Sequence, residues 1–246
     1  MLKKEATLDL AKNLIARPSM TPDDGGCQEL LIERLQNLGF IIHRLPFDDV
    51  KNFWAVRGDK GPMICFAGHT DVVPPGSEEL WESPPFVPEI RNGYLYGRGA
   101  ADMKSSLAAM VVAAEIFIRE TPSHSGRIAF LITSDEEGLA ESGTKLVVEW
   151  LRGQNIIPDW CIVGEPTSTN TFGDVIKHGR RGSLNGVFRA FGVQGHVAYP
   201  ESAVNPIHAS LAALFELTQE VWDEGCANFQ PTSFQISNIH SGDGIT

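Results

Sequence analysis

Four short stretches of this chain set histidine or acidic side chains directly after apolar runs, and their types suit the binding of a divalent cation. The first is Phe66-Ala67-Gly68-His69-Thr70-Asp71-Val72-Val73, where a strand-like run ends in His69 and Asp71. Alternate residues of a strand share a face, so Asp71 is placed to hold the His69 ring or to stand close behind it. The second stretch, from Tyr96 to Lys104, brings Asp102. The third, Ser134-Asp135-Glu136-Glu137-Gly138, brings two adjacent acids, and Val163-Gly164-Glu165-Pro166-Thr167 brings Glu165. Carboxylates drawn together repel one another unless a cation stands among them or some keep their protons. One histidine among several carboxylates suits Zn²⁺ in an open catalytic site and can also take Co²⁺ or Mn²⁺. The acids outnumber the needs of one ion. A carboxylate can bridge two ions about 3.5–4 Å apart with a shared water as nucleophile, and a further acid then acts as general base.

Taken singly, each stretch has a plainer explanation. His69 fits a hydrogen-bonded residue at a strand end, Glu136-Glu137 a solvated loop, Glu165 a turn before proline, and Asp102 the N-cap of the helix that follows it. The elements that must position them shift the balance. Leu8, Leu10, Ala11, Leu14 and Ile15 recur at helical spacing, and Leu30, Leu31, Leu35 and Leu38 do so again before Gly39. Residues 40–45, 52–57, 63–67, 127–133 and 160–163 read as strands, and 105–118 and 143–151 as helices. Met103, Met110, Leu107, Val111 and Ala114 read as core. A long Pro- and Gly-rich loop from Pro74 to Pro88, anchored by Trp81 and Phe86, reads as lining something. Strand, loop, helix, strand in this rhythm predicts an α/β domain with a largely parallel sheet, whose sites form at strand C-terminal ends. All the candidate residues then lie along one rim. After Lys177 the texture changes: strands are expected over 183–191 and 234–239 and a helix over 205–222 opened by Pro206, a small α+β unit.

With 246 residues, 42% of them hydrophobic, the chain can bury one good core and a second, smaller one. A formal charge of −11 argues against a nucleic-acid partner. Cys27, Cys65, Cys161 and Cys226 are widely spaced, with no CxxC pairing, and read as buried free thiols in a reducing compartment. No apolar signal core and no apolar stretch of membrane length is present, so the expectation is a soluble cytoplasmic protein with no membrane partner.

Together the four stretches resemble the metal-site motifs of the dizinc aminoacylase and carboxypeptidase family. The segment from Gly173 to Ser183, with Gly195-His196-Val197-Ala198-Tyr199-Pro200 and Asn205-Pro206-Ile207-His208, resembles most closely a branch that removes succinate from N-succinyl-LL-2,6-diaminopimelate in lysine and diaminopimelate biosynthesis. The resemblance implies a zinc-peptidase-like α/β catalytic domain over residues 1–178, with a mostly parallel mixed sheet flanked by helices. It implies a partial α+β dimerisation or lid domain over 179–246. It further implies that His69 and Glu165 bind one zinc, Glu137 binds the other, Asp102 bridges them, Glu136 is the general base, and Asp71 orients His69. Arg180, with Ser183 and Tyr199, would receive a substrate carboxylate, since a guanidinium fork matches its two oxygens. His196 would polarise the scissile carbonyl, supplied across a homodimer by the partner subunit. Other readings are an acetylornithine deacetylase or dipeptidase on the same scaffold, or a non-catalytic remnant that only dimerises.

One departure from the family pattern sets a further expectation. The chain ends at Thr246, inside what the resemblance reads as an inserted domain and before the last histidine ligand of the second zinc. Such a chain is expected to be a C-terminally truncated form that holds zinc weakly or singly and turns over poorly.

Overall fold

The structure is a computed structural model that describes residues 2–177 and 179–242. The chain divides into two compact units, Met1–Val175 and Ile176–Thr246. His178, at the boundary expected from the sequence, and residues 243–246 lie outside the described residues.

The first unit is built on a five-stranded sheet of β1 (Ile41–Arg44), β2 (Asn52–Arg57), β3 (Met63–His69), β6 (Arg127–Thr133) and β7 (Trp160–Val163), in the order β1-β2-β6-β3-β7. A small hairpin of β4 (Glu89–Arg91) and β5 (Tyr94–Tyr96) stands apart from it. Asn92 and Gly93 make its two-residue turn with φ of 51° and 82°, the left-handed pair that such a connection requires. The short link between β1 and β2 folds back through a Phe47–Val50 bridge, so these strands are antiparallel, as are β2 and β6. From β3 the chain crosses to β6 through helix α3 (Ser105–Glu120), and a crossover of that length yields a parallel pair. β3 and β7 are also parallel. The mixed α/β sheet expected from the sequence is therefore present, with its parallel half at the β6-β3-β7 side.

Alternation along the strands sorts the core onto two faces. Ile128, Phe130 and Ile132 of β6 join Phe53 and Ala55 of β2 beneath α1 (Leu2–Ile15), α2 (Cys27–Asn37) and α3. Ala129 and Leu131 join Trp54, Met63 and Cys65 beneath Val147 and Leu151 of α4 (Thr144–Gly153). Each large apolar side chain buried this way stabilises the fold by roughly 1.5–3 kcal/mol. Leu107, Met103, Met110, Val111 and Ala114 are core, as their spacing predicts. Cys27 and Cys65 are buried, but Cys161 and Cys226 are exposed, which corrects the expectation of four buried thiols. Cys161 lies on β7, which pairs with β3 alone among the described residues, and Trp160, Ile162 and Val163 beside it are 60%, 48% and 54% exposed.

The second unit holds helix α5 (Pro206–Gln219) and a short 3₁₀ turn, Pro200–Ser202. Asn205 caps α5 by accepting the backbone N–H of Ile207 at 2.9 Å and of His208 at 3.3 Å, and Pro206 occupies the first turn, where a missing N–H costs nothing. The strands expected over 183–191 and 234–239 are not formed. A strand is held by the ladder of a neighbour, and Leu184, Val187, Phe188 and Phe191 are exposed with no paired strand among the described residues. The helix is shorter than the sequence pattern suggests: Trp222 lies beyond its end, stacked with Phe234 at a ring separation of 6.4 Å.

Candidate metal centre

β6, β3 and β7 run in one direction with β3 between the other two, so their C-terminal ends lie side by side. β3 ends at His69, β6 runs into the loop with Glu136 and Glu137, and β7 runs into Glu165. The central strand therefore delivers the histidine and its two neighbours deliver the acids.

The His69 ring is 1% exposed and reaches the acids through one nitrogen. Its Nδ1 lies 2.9 Å from the backbone carbonyl oxygen of Asp71 and 3.5 Å from Asp71 Oδ1. A carbonyl only accepts, so Nδ1 carries a hydrogen and Nε2 is the nitrogen turned to the rim. Nε2 lies 3.1 Å from Asp102 Oδ1 and 3.4 Å from Glu165 Oε1. Two sets of donor atoms gather there, His69 with Glu136 and Glu165, and His69 with Asp102 and Glu137, each set lying within 4.8 Å.

The electrostatics match a cation. Burial alone pushes the His69 pKa down, but its hydrogen bonds to Asp71 and Glu165 outweigh this and raise it to about 11. The Glu137 carboxyl is raised, first by burial and then by the negative charge of Asp102. Asp71 is lowered despite its burial, because His69 and the Glu137 N–H stabilise its charged form. The rim thus holds more negative charge than it can comfortably carry, and the donor set, an imidazole among carboxylates, fits a divalent ion of the zinc type.

Asp102 is positioned by packing. It lies in a turn of π-helix, Ala100–Lys104, and its φ of −114° and ψ of 101° break the helical path. The capping role considered from the sequence is not the one it plays: α3 begins after Lys104 and has no side-chain cap, and the Asp102 carboxylate turns to His69. Met103, fully buried, lies against Gly68 and Gly164, the residues before His69 and Glu165. A Cβ on Gly68 would come 2.4 Å from Met103 Cε, and one on Gly164 would come 2.6 Å from it. The two glycines let one thioether brace three of the site-bearing loops.

Residues 65–238 match the model of "Peptidase family M20/M25/M40". The chain belongs to this family. It is 61% identical over 97% of its length to a protein named succinyl-diaminopimelate desuccinylase from Thioalkalivibrio sulfidiphilus, and 59% identical over 98% to one of the same name from Methylobacillus flagellatus. It spans 63% and 64% of the lengths of those relatives. Among solved structures it resembles in fold a tripeptidase from Staphylococcus aureus, at a TM-score of 0.64 and 18% identity, covering 98% of this chain and 62% of that one.

In this M20/M25/M40 chain, several supporting residues escape a sequence reading. Asp71 does more than hold His69: its carboxylate accepts the backbone N–H of Glu136 at 3.2 Å and of Glu137 at 3.1 Å, which fixes the loop that carries both acids. Asp135, buried, accepts the N–H of Ala140 and of Ser142, both at 3.2 Å, and closes the same loop. Lys104 is fully buried, and its Nζ donates to the carbonyls of Leu14 at 2.9 Å and Arg17 at 2.8 Å, tying the Asp102 turn to the end of α1. Burial holds the pKa of its ammonium below the usual lysine range. Lys104 falls on the same helical stripe as Leu107, Ala108 and Val111, and that spacing was the signal for its burial.

The other candidates, Arg180, Ser183, His196 and Tyr199, all lie exposed in the second unit. His196 sits in a loop closed by the reciprocal bonds of Val193 and Val204. The Ala198 N–H donates to His196 Nδ1 at 3.0 Å, so in the neutral ring the hydrogen resides on Nε2. The Tyr199 ring packs beside it at 5.7 Å. The structure thus gathers His69, Asp71, Asp102, Glu136, Glu137 and Glu165 in the first unit.

Proposed function

We propose that this chain carries the amide-hydrolysing site of a zinc-dependent succinyl-diaminopimelate desuccinylase, cleaving N-succinyl-LL-2,6-diaminopimelate to succinate and the free diamine. The observation that carries this reading is the His69-centred donor cluster, in a chain about three-fifths identical to proteins of that name. Residues 1–178 form the catalytic domain and 179–246 a part of the dimerisation or lid domain, in a cytoplasmic homodimer that meets neither membrane nor nucleic acid.

His69, Asp102 and Glu165 would hold a first zinc, and Asp102 and Glu137 a second, for which Co²⁺ could substitute. Bound zinc would acidify a water and withdraw charge from a carbonyl oxygen. Glu136, next to these donors yet one residue away from Glu137, is the general base: its carboxylate takes the proton of the attacking water and returns it to the leaving amine nitrogen. Asp71 holds both glutamates and the His69 ring in register. The partner subunit's His196 would donate from Nε2–H to the carbonyl oxygen as negative charge grows there, with the ring turned by the Ala198 N–H so that this nitrogen carries the hydrogen. Arg180, Ser183 and Tyr199 receive a substrate carboxylate.

The test is release of succinate by the zinc-loaded chain, read by mass spectrometry at high protein concentration, with N-acetylornithine and a dipeptide as competitors. The succinyl substrate is expected to be cleaved fastest, with His196→Ala lowering turnover about 10²–10³-fold at unchanged zinc content. Preference for either competitor overturns the substrate assignment, and full turnover by His196→Ala overturns its role.

A further inference from the structure

Apart from the candidate metal centre, the described residues bring together a pair of nucleophilic side chains. Cys65 of β3 and Cys161 of β7 are directly paired in the parallel register. Paired residues of adjacent strands point to the same face, so the two thiols project side by side. Neighbouring strands lie about 4.8 Å apart, and the Cα atoms of disulfides are found about 4.4–6.8 Å apart. Cys65 is buried among the residues beneath α4, whereas Cys161 is exposed on the strand at the sheet edge. One thiol is therefore open to a reagent and the other stands behind it.

We propose that Cys65 and Cys161 are a dithiol pair that a hydroperoxide oxidises to a disulfide across β3 and β7. The Cys161 thiolate attacks the peroxide: its sulfur gains the distal oxygen, the O–O bond breaks, and hydroxide or alkoxide leaves, giving a sulfenic acid. The Cys65 sulfur then displaces that oxygen as water, with the Cys65 proton and one further proton from solvent balancing the hydroxide and water formed. Two thiols are oxidised by two electrons and one peroxide is reduced. The charge distribution suits these roles. The neighbouring Cys65 thiol lowers the pKa of the exposed Cys161 to about 7, and Cys161, followed by burial, raises the pKa of Cys65, whose Sγ–H donates to the Phe66 carbonyl at 3.7 Å. The attacking thiolate is thus Cys161, and Cys65 keeps its proton until the second step. The pair lies at the root of the site, since Cys65 shares β3 with His69 and Cys161 leads along β7 to Glu165. A disulfide draws the Cβ atoms to about 3.8 Å, so its formation pulls the two strands that carry these donors toward each other.

The test is peptide mapping of the reduced chain after treatment with stoichiometric hydrogen peroxide and alkylation of the remaining thiols. The expected product is an intrachain Cys65–Cys161 cross-linked peptide, two hydrogens lighter than the sum of its parts and restored by dithiothreitol. Cys161→Ser, at an exposed position, should abolish it, and Cys65→Ser should leave a dimedone-reactive sulfenic acid at Cys161. Circular dichroism of both variants checks that each is folded, and the wild-type map stands without either. Unmodified thiols, Cys161 oxidised without linkage to Cys65, or linkage to Cys226 or to another chain overturns the proposal.

Discussion

Asp71 shows how much one buried side chain can organise. Its carboxylate holds two consecutive backbone N–H groups and stands behind a histidine whose other nitrogen faces the cation site. Asp71→Asn keeps the shape but replaces one acceptor oxygen with a donor that repels an N–H, and it removes the charge beside His69. Zinc affinity, read by competition with a chromophoric chelator, should fall about 10–100-fold. Unchanged affinity would show that neither the loop nor the ring depends on this carboxylate. The half of this role that concerns His69 was legible in the sequence, since two residues apart on a strand means one face. The half that concerns Glu136 and Glu137 was not, because it spans the β3 and β6 loops, and only the fold brings those together.

At the scale of elements, the parallel trio of strands was readable from its apolar runs and the polar residues ending each of them. The order that places β3 between β6 and β7 was not, because periodicity reports faces and not neighbours. The misread strands of the second unit have the same origin. Alternation over 183–191 describes a surface fit for pairing, but hydrogen bonds from another strand make it a ladder. The bracing of the site by Met103 leads to a sharp expectation. Gly68→Ala forces a methyl toward Met103 Cε and Leu107 Cδ2, which lies 3.1 Å from the added carbon. Overpacking of this kind costs about 1–3 kcal/mol, measurable by urea denaturation, and it should weaken zinc binding by displacing the Asp102 turn. Gly153→Ala is the matched control: nothing lies within 4 Å, and it should be neutral or stabilising by up to about 1 kcal/mol in its helix.

At the scale of the whole molecule, all five donor residues of the cluster belong to the first unit, so cation binding should stabilise that unit and leave the second unmoved. Zinc at a hundred times its dissociation constant should add about 2.7 kcal/mol to the first unit, seen as one calorimetric transition moving up and returning with a chelator. If three protein donors hold the first ion and two the second, as proposed, binding should occur in two steps, the tighter one first. Movement of both transitions together would show that the two units unfold as one. The composition carried part of this: an excess of acids over bases argued against a nucleic-acid partner and hinted at a cation, but it could not say which carboxylates would meet. The edge at β7 has its own consequence. Along one side of this strand the amides and carbonyls bond to β3, and along the other no described strand meets them. Such a row is a template with a set direction and spacing, able to admit one more strand. Among the described residues the sheet can thus be extended on the flank that carries Glu165, beside the candidate metal centre.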